Sequence, residues 1–324
     1  MAIAGVCWRT LPVVILTMLA STTLAQQIYP SKPIRLIVPY PPGGSTNTVA
    51  RLVGQELTKA WGQPVIVDNR PGGNTVIGTE ALVKSSPDGH SLLLTTLAHV
   101  IYPILLPVPY DPIKDFAAVA TVSSTEIVMV LHPSVQANNL RDFIALAKAR
   151  PGQLNYAMTG AGGLTHLAGE LISDMAGIRM QHVPYKGAGP ALADLLGGQV
   201  QLAFQNPILV IPHVKSGKLK AIAITGSRRL SLLPQVPTFN EAGLPGYDLK
   251  TWFGFLAPAN TPKPVVKKLS AEIARLVALP DIADKLLSQG MDPYFVDSEQ
   301  FVALMRADMS RIANVIKKAN IKLE

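Results

Sequence analysis

Two short stretches of this chain carry residues suited to holding an anion. The first, Ile34–Asn47, reads IRLIVPYPPGGSTN. An apolar run leads through Tyr40 and a proline corner that includes Pro42 to Gly43, Gly44 and the short polar side chains of Ser45, Thr46 and Asn47. From there Val49, Leu52, Val53 and Leu57 recur at helical spacing, so a helix is predicted whose first turn Ser45, Thr46 or Asn47 can cap. The first turn of a helix leaves backbone N–H groups unpaired, and the helix dipole adds positive potential there. Glycines let an anion come close to those amides. The second stretch, Leu154–His166, reads LNYAMTGAGGLTH and follows the same plan, with Gly160, Gly162, Gly163, Thr165 and His166 ahead of the run LAGELISDMAG. Hydrogen bonds to a charged group contribute about 1.5–3 kcal/mol each, against about 0.3–1 kcal/mol from a dipole, so directed donors dominate such a socket. Two anion sockets in one chain suggest a clamp.

The same residues also have plainer roles. Ser45 and Thr46 serve equally well as helix caps, the glycines as turn residues of positive φ, and His166 as a capping or surface side chain. Tyr185 and Lys186, after an expected strand Gln181–Val183, are placed to line a cleft as an aromatic wall and a cation. A hydrolase would use Ser45 or Thr165 as nucleophile and His166 as base. Against it, neither loop matches the G-x-S-x-G elbow, and no carboxylate is evidently placed to orient His166. The six histidines, His90, His99, His132, His166, His182 and His213, show no i, i+4 pair among themselves, so no metal is expected. PPGGST lacks the lysine and spacing of a P-loop, and no dinucleotide fingerprint follows a strand, so no cofactor is expected.

The elements that must position these loops alternate along the chain. Apolar strands are expected at Ile34–Val38, Val65–Val67 and Leu92–Thr95, with a helix at Ile77–Lys84 that the breaker Pro87, Asp88, Gly89 ends. A proline-rich crossing (Pro103, Pro107, Pro109, Pro112) precedes the runs Ala117–Val122 and Ile127–Leu131. A second series follows: helix Leu140–Ala149, a strand near Asn155, a helix from Thr165, strand Gln181–Val183, helix Ala191–Leu196, and strands near Leu202 and at Ala221–Thr225. Pro234–Pro264, with the aromatic strand Trp252–Leu256 inside it, reads as a return crossing. Helices at Val265–Val277, Ile282–Ser288 and Glu299–Asn320 close the chain and are expected to pack back on the first lobe. The pattern is that of an α/β fold with mostly parallel sheets. Two crossings favour a hinge.

At the N-terminus Arg9 precedes the apolar run Leu11–Ala20 and the small-residue site Thr23, Leu24, Ala25, the layout of a signal peptide cleaved after Ala25. That run is shorter than the roughly 18–20 residues needed to span a bilayer. Cleavage removes Cys7, the only cysteine, so the mature chain has no disulfide and no thiolate chemistry. About 300 residues remain, enough for two lobes with separate cores. Hydrophobic residues make up 48% and charged residues 15%, a globular composition. The net charge of +8 is scattered, which argues against nucleic acid and leaves a weak field attractive to small anions.

Several ordered motifs resemble one family. VPYPPGGSTN, VDNRPGG, SPDGHSLLLTT, TGAGGLTHLAGE, HVPYKGAGPALADLLGGQV, VPTFNEAGLPGY and WFGFLAPANTP are similar to segments of the tripartite tricarboxylate transporter receptors, the Bug-type periplasmic solute-binding proteins. The resemblance spans nearly the whole mature chain. It implies a two-lobed Venus-flytrap fold, type II-like, with the ligand cleft between a lobe of 26–123 and 247–324 and a lobe of 124–246. It further implies no catalysis, a monomer, and capture of a small carboxylate for membrane permease subunits. A receptor that signals to a membrane sensor is an alternative the sequence leaves open. Asn47 stands where the family usually has aspartate, Asn74, Thr75 and Val76 replace a glycine and asparagine run, and Gln205 stands where aspartate is frequent. A neutral Asn47 can donate to a second acceptor, which points to a dicarboxylate or aromatic carboxylate rather than an amino acid.

Overall fold

The computed structural model describes residues 1–2, 29–159, 162–319 and 321. The expected leader lies outside the described residues after its first two positions, and so does Gly160. The first half of the chain runs β1 (Ile34–Val38), α1 (Ser45–Trp61), β2 (Val65–Asn69), α2 (Val76–Val83), β3 (Ser91–Thr96), α3 (Ala98–Leu105) and β4 (Phe116–Glu126). It continues through β5 (Val128–Leu131), α4 (Leu140–Ala149), β6 (Asn155–Thr159), α5 (Leu164–Ala176), β7 (Gln181–Tyr185), α6 (Ala188–Leu196), β8 (Leu202–Gln205), α7 (Pro207–Lys215) and β9 (Lys220–Ile224). The return comprises β10 (Lys250–Pro258), α8 (Lys263–Val277), α9 (Pro280–Ser288), β11 (Asp292–Pro293) and α10 (Ser298–Ala319).

These elements form two α/β lobes. One sheet has the order β11-β4-β10-β3-β1-β2 and the other β7-β6-β8-β5-β9. The two share a plan that the sequence did not reveal. In the first, β1 lies between β2 and β3, parallel to both, and in the second β6 lies in the same way between β7 and β8. Each trio is then extended by an antiparallel strand, β10 beside β3 and β5 beside β8.

β1 shows no alternation of burial because both of its faces are covered. Ile34, Leu36 and Val38 pack with Val49, Val53 and Leu57 of α1, whereas Ile37 joins the cluster that holds Leu82 of α2. Each such fully buried aliphatic side chain stabilises the fold by about 1.5–3 kcal/mol relative to exposure. The second lobe has its own cluster, in which Val128, Ala157 and Ala203 meet Leu195 of α6 and Val210 of α7.

Two segments differ from expectation. Pro103 lies inside α3 rather than in a crossing, and α7 forms despite Pro212. In each, apolar burial overrides the lost backbone bond: Val100 and Ile101 enter the core from α3, and Val210 from α7. Of the closing helices, α8 and α9 pack on the first sheet through Leu269, Ile273, Ile282 and Leu286. α10 goes further and also contacts α5, where Lys318 pairs with Asp174 at 3.0 Å. Its Asp308 accepts a hydrogen bond from Trp252 Nε1 at 3.0 Å. Among the described residues, no helix is long and apolar enough to cross a membrane.

Candidate ligand-binding site

Chain direction sets where the two glycine loops lie. β4 is antiparallel to β10, which is antiparallel to β3, so β4 leaves the first sheet at the edge where β1, β2 and β3 have their carboxyl ends. One residue later β5 enters the second sheet with Val128 opposite Gln205, the last residue of β8. Both sheets therefore turn the carboxyl ends of their parallel strands toward the crossing. In open α/β sheets such an edge, beside a strand whose successors lie on either side of it, is where ligands bind. The return crossing is tied to the first: Ile127 N donates to Thr225 Oγ1 and Thr225 N to Ile127 O, both at 3.0 Å, while Leu249 N donates to Thr225 O at 2.8 Å.

The loop after β1 and the loop after β6 end alike. Gly44 is the N-cap of α1 at φ −83°, ψ 172°, and Gly163 is the N-cap of α5 at φ −73°, ψ 173°. Neither helix has a side-chain cap, which corrects the expectation that Ser45, Thr46, Asn47 or Thr165 supplies one. Thr48 N donates to Gly44 O at 3.1 Å and Leu167 N to Gly163 O at 3.0 Å. The amides between each cap and that first bond are the orphan donors of the helix. The residue before each cap has positive φ, 94° at Gly43 and 70° at Gly162, a region that favours glycine.

The expected site residues divide into free and engaged groups. Pro42, Gly43, Gly44 and Ser45 are exposed, whereas Thr46 is buried. Tyr40 braces the loop: its hydroxyl shares a 2.6 Å hydrogen bond with Thr96 Oγ1 at the end of β3, and its carbonyl accepts from Asn69 Nδ2 at the end of β2. Burial pushes the Tyr40 phenol up to about 12, so it remains neutral. Asn47, expected to face a ligand, is 5% exposed and engaged instead; its Nδ2 donates to Asn69 Oδ1 and its Oδ1 accepts from Arg51 Nε, each at 3.0 Å. Thr165 Oγ1 accepts from Thr159 N at 2.8 Å, fastening the start of α5 to the end of β6. The Tyr185 hydroxyl donates to Asp194 on α6 at 2.7 Å, and burial followed by that contact pushes it up to about 12. Gln205 is buried at the end of β8, and Lys186 is exposed.

His166 is the largest revision. Its Nδ1 accepts the Gly162 N–H at 3.1 Å, and its Nε2 lies 3.8 Å from Glu170 Oε1, so a carboxylate does stand beside it. Burial, and then His182, hold the His166 pKa down to about 4, so the ring is neutral. The ligating atoms of His166, Glu170 and His182 lie within 4.8 Å of one another. Comparing histidines only with one another misses this trio, because one member is a carboxylate and another comes from β7. A neutral ring that accepts at Nδ1 carries its proton on Nε2, and a protonated nitrogen cannot ligate a metal. While the Gly162 bond stands, His166 therefore offers the trio no free ring nitrogen for a metal. With Nδ1 engaged and the proton on Nε2, His166 has no free lone pair with which to take a proton from Thr165.

Three features beyond the loops stand at this edge. Asn69 and Thr96 anchor Tyr40. Thr75, the N-cap of α2, has φ 75° and is 5% exposed. Glu126, at the crossing, is 2% exposed and its Oε2 has no hydrogen-bond partner among the described residues. Burial, and then Asp292, push Glu126 up to about 7 against the opposing effect of Arg228 and Lys250. Surface grooves of about 640 and 1050 Å³ lie elsewhere on the first lobe, one beside Arg35, Arg70 and Lys84, the other beside Val266, Val302 and Arg306; neither includes a residue of the glycine loops.

Comparison with known proteins places this architecture. Residues 49–321 match the family model described as "Tripartite tricarboxylate transporter family receptor". The chain is 36% identical over 299 residues to Protein BugT of Bordetella pertussis, covering 91% of this chain and 92% of that protein. Its structure is similar to that of R. palustris Rpa4515 with adipate, at TM-score 0.79 and 30% identity, covering 91% of this chain and 100% of the other. It is also similar to MatC from Rhodopseudomonas palustris with bound malate, at TM-score 0.73 and 31% identity over 89% of this chain and 100% of the other. The chain belongs to the tripartite tricarboxylate transporter receptor family.

Proposed function

We propose that this protein is a periplasmic receptor that captures a small carboxylate between its two lobes and hands it, as a monomer, to the membrane permease of a tripartite tricarboxylate-type transporter. The observation that carries this reading is the pair of glycine-capped helices at facing sheet edges, each with first-turn amides that no side chain caps. One carboxylate spanning both loops would be held best when the lobes close, because only then are both sets of donors within reach. The lobes divide near residues 124 and 247, and the crossings there act as the hinge.

The ligand class is a dicarboxylate or an aromatic carboxylate. Adipate and malate in two similar structures favour the former. The engaged amide of Asn47 leaves no carboxylate at that position to receive an amino group. Ser45, exposed at the start of α1, donates its hydroxyl to the ligand, and a leader of 25 residues directs export. Mass spectrometry of small acids released on denaturing the purified protein tests the reading. A stoichiometric dicarboxylate is expected, and release of an amino acid in its place contradicts it. Ser45→Ala should weaken binding of the released acid.

A further inference from the structure

We infer that Glu170 is a positioning residue for the second glycine loop: anchored by Tyr156, it keeps His166 in the one tautomer that fixes the Gly162 amide. The Tyr156 hydroxyl, on a fully buried side chain of β6, donates to Glu170 Oε1 at 2.8 Å. Glu170 follows His166 by one helical turn, and the same Oε1 lies 3.8 Å from His166 Nε2. On the far side of the ring, Nδ1 accepts the Gly162 N–H at 3.1 Å. An imidazole that accepts at Nδ1 must carry its proton at Nε2, and a carboxylate beside Nε2 favours that form. The other tautomer would set Nδ1–H against Gly162 N–H and leave both donors unpaired in a buried place, an arrangement that costs free energy.

Two consequences follow for the site. The Gly162 amide is withdrawn from the ligand, so the donors this loop offers are the first-turn amides of α5. Their direction depends on Gly162, which precedes the cap at φ 70°. His182 packs against the His166 ring at a centroid distance of 4.9 Å but is exposed, whereas Glu170 is half-buried and tied to the buried Tyr156. Tyr156, Glu170, His166 and Gly162 thus connect the core of the second lobe to its glycine loop. The effect on ligand affinity rests on the carboxylate reading above, whereas the tautomer does not.

The test uses the mature protein with ¹⁵N-labelled histidine and adipate as the probe. Glu170→Gln keeps an acceptor beside Nε2, and Glu170→Met removes it. Wild type and Glu170→Gln should show His166 with the proton on Nε2. Glu170→Met should show a mixture of tautomers and, with its circular dichroism unchanged, bind adipate about three- to tenfold more weakly. A wild-type His166 protonated at Nδ1 would overturn the inference, as would a Glu170→Met protein with the wild-type tautomer. Failure of wild type to bind any plain carboxylate would count against the receptor reading instead, since the tautomer is read without ligand.

Discussion

Gly44 and Gly163 stand in corresponding places in the two lobes and have nearly the same backbone conformation, φ −83°, ψ 172° and φ −73°, ψ 173°. Each caps a helix that follows the middle strand of a parallel trio, and each lacks the side chain that would satisfy the amides beyond it. Serine, threonine, asparagine and aspartate are the good N-cap residues, and glycine stabilises a helix only slightly less than they do. Its distinction is that it leaves the donors free.

Installing a cap should therefore compete with the ligand. The negative φ at Gly44 accepts any residue, and a Cβ there meets nothing within 4 Å. Gly44→Asp is expected to raise stability by a few tenths of a kcal/mol, about 0.3, while placing a negative charge where the ligand carboxylate would lie. Calorimetry should show binding weakened by about 100-fold or more, with urea denaturation reporting a fold at least as stable.

Asn47 should behave as a structural residue. Asn47→Ala leaves Asn69 and Arg51 without their 3.0 Å partners, so a loss of about 1–2 kcal/mol in urea denaturation is expected. Affinity for the carboxylate should change by less than about threefold. A large loss of affinity at unchanged stability would return Asn47 to the ligand's surroundings.

Thr75 holds a left-handed conformation that a β-branched side chain adopts at a cost, and its buried hydroxyl has no partner among the described residues. Thr75→Gly should stabilise the protein by about 1–2 kcal/mol, measured as a rise in unfolding midpoint.

Glu126 gives the stability a specific pH dependence. In the unfolded chain the group ionises near 4.5, and in the folded protein near 7. Between those values the native state keeps a proton that the unfolded chain gives up. Its contribution therefore falls as pH rises from about 4.5 to about 7 and stays lowered above that. Glu126→Gln, which cannot ionise, should match wild type at pH 4 and exceed it by about 1–3 kcal/mol at pH 8 in denaturant titrations.

Much of this was legible in the sequence, for physical reasons. Runs dominated by apolar residues and flanked by glycine or proline mark β1 and β3, because strands covered on both faces carry few polar residues, Arg35 of β1 being one that pairs with Asp68. The glycine loops declare themselves by composition. What the sequence could not show is which donors are already used. Asn47 meets Asn69 across 22 residues and Tyr40 meets Thr96 across 56, so their engagement depends on the register of β1 with its neighbours. Thr165 looked like a cap by position, yet its oxygen turns back to Thr159. The carboxylate that orients His166 was hidden one helical turn away, within a run that reads simply as amphipathic.

A calorimetric titration of residues 26–324 with adipate, malate, aspartate and glutamate tests carboxylate capture most directly. Saturable one-to-one binding of a plain dicarboxylate, with little response to the amino acids, is predicted. Tight binding of aspartate or glutamate, with no response to the plain acids, would contradict it.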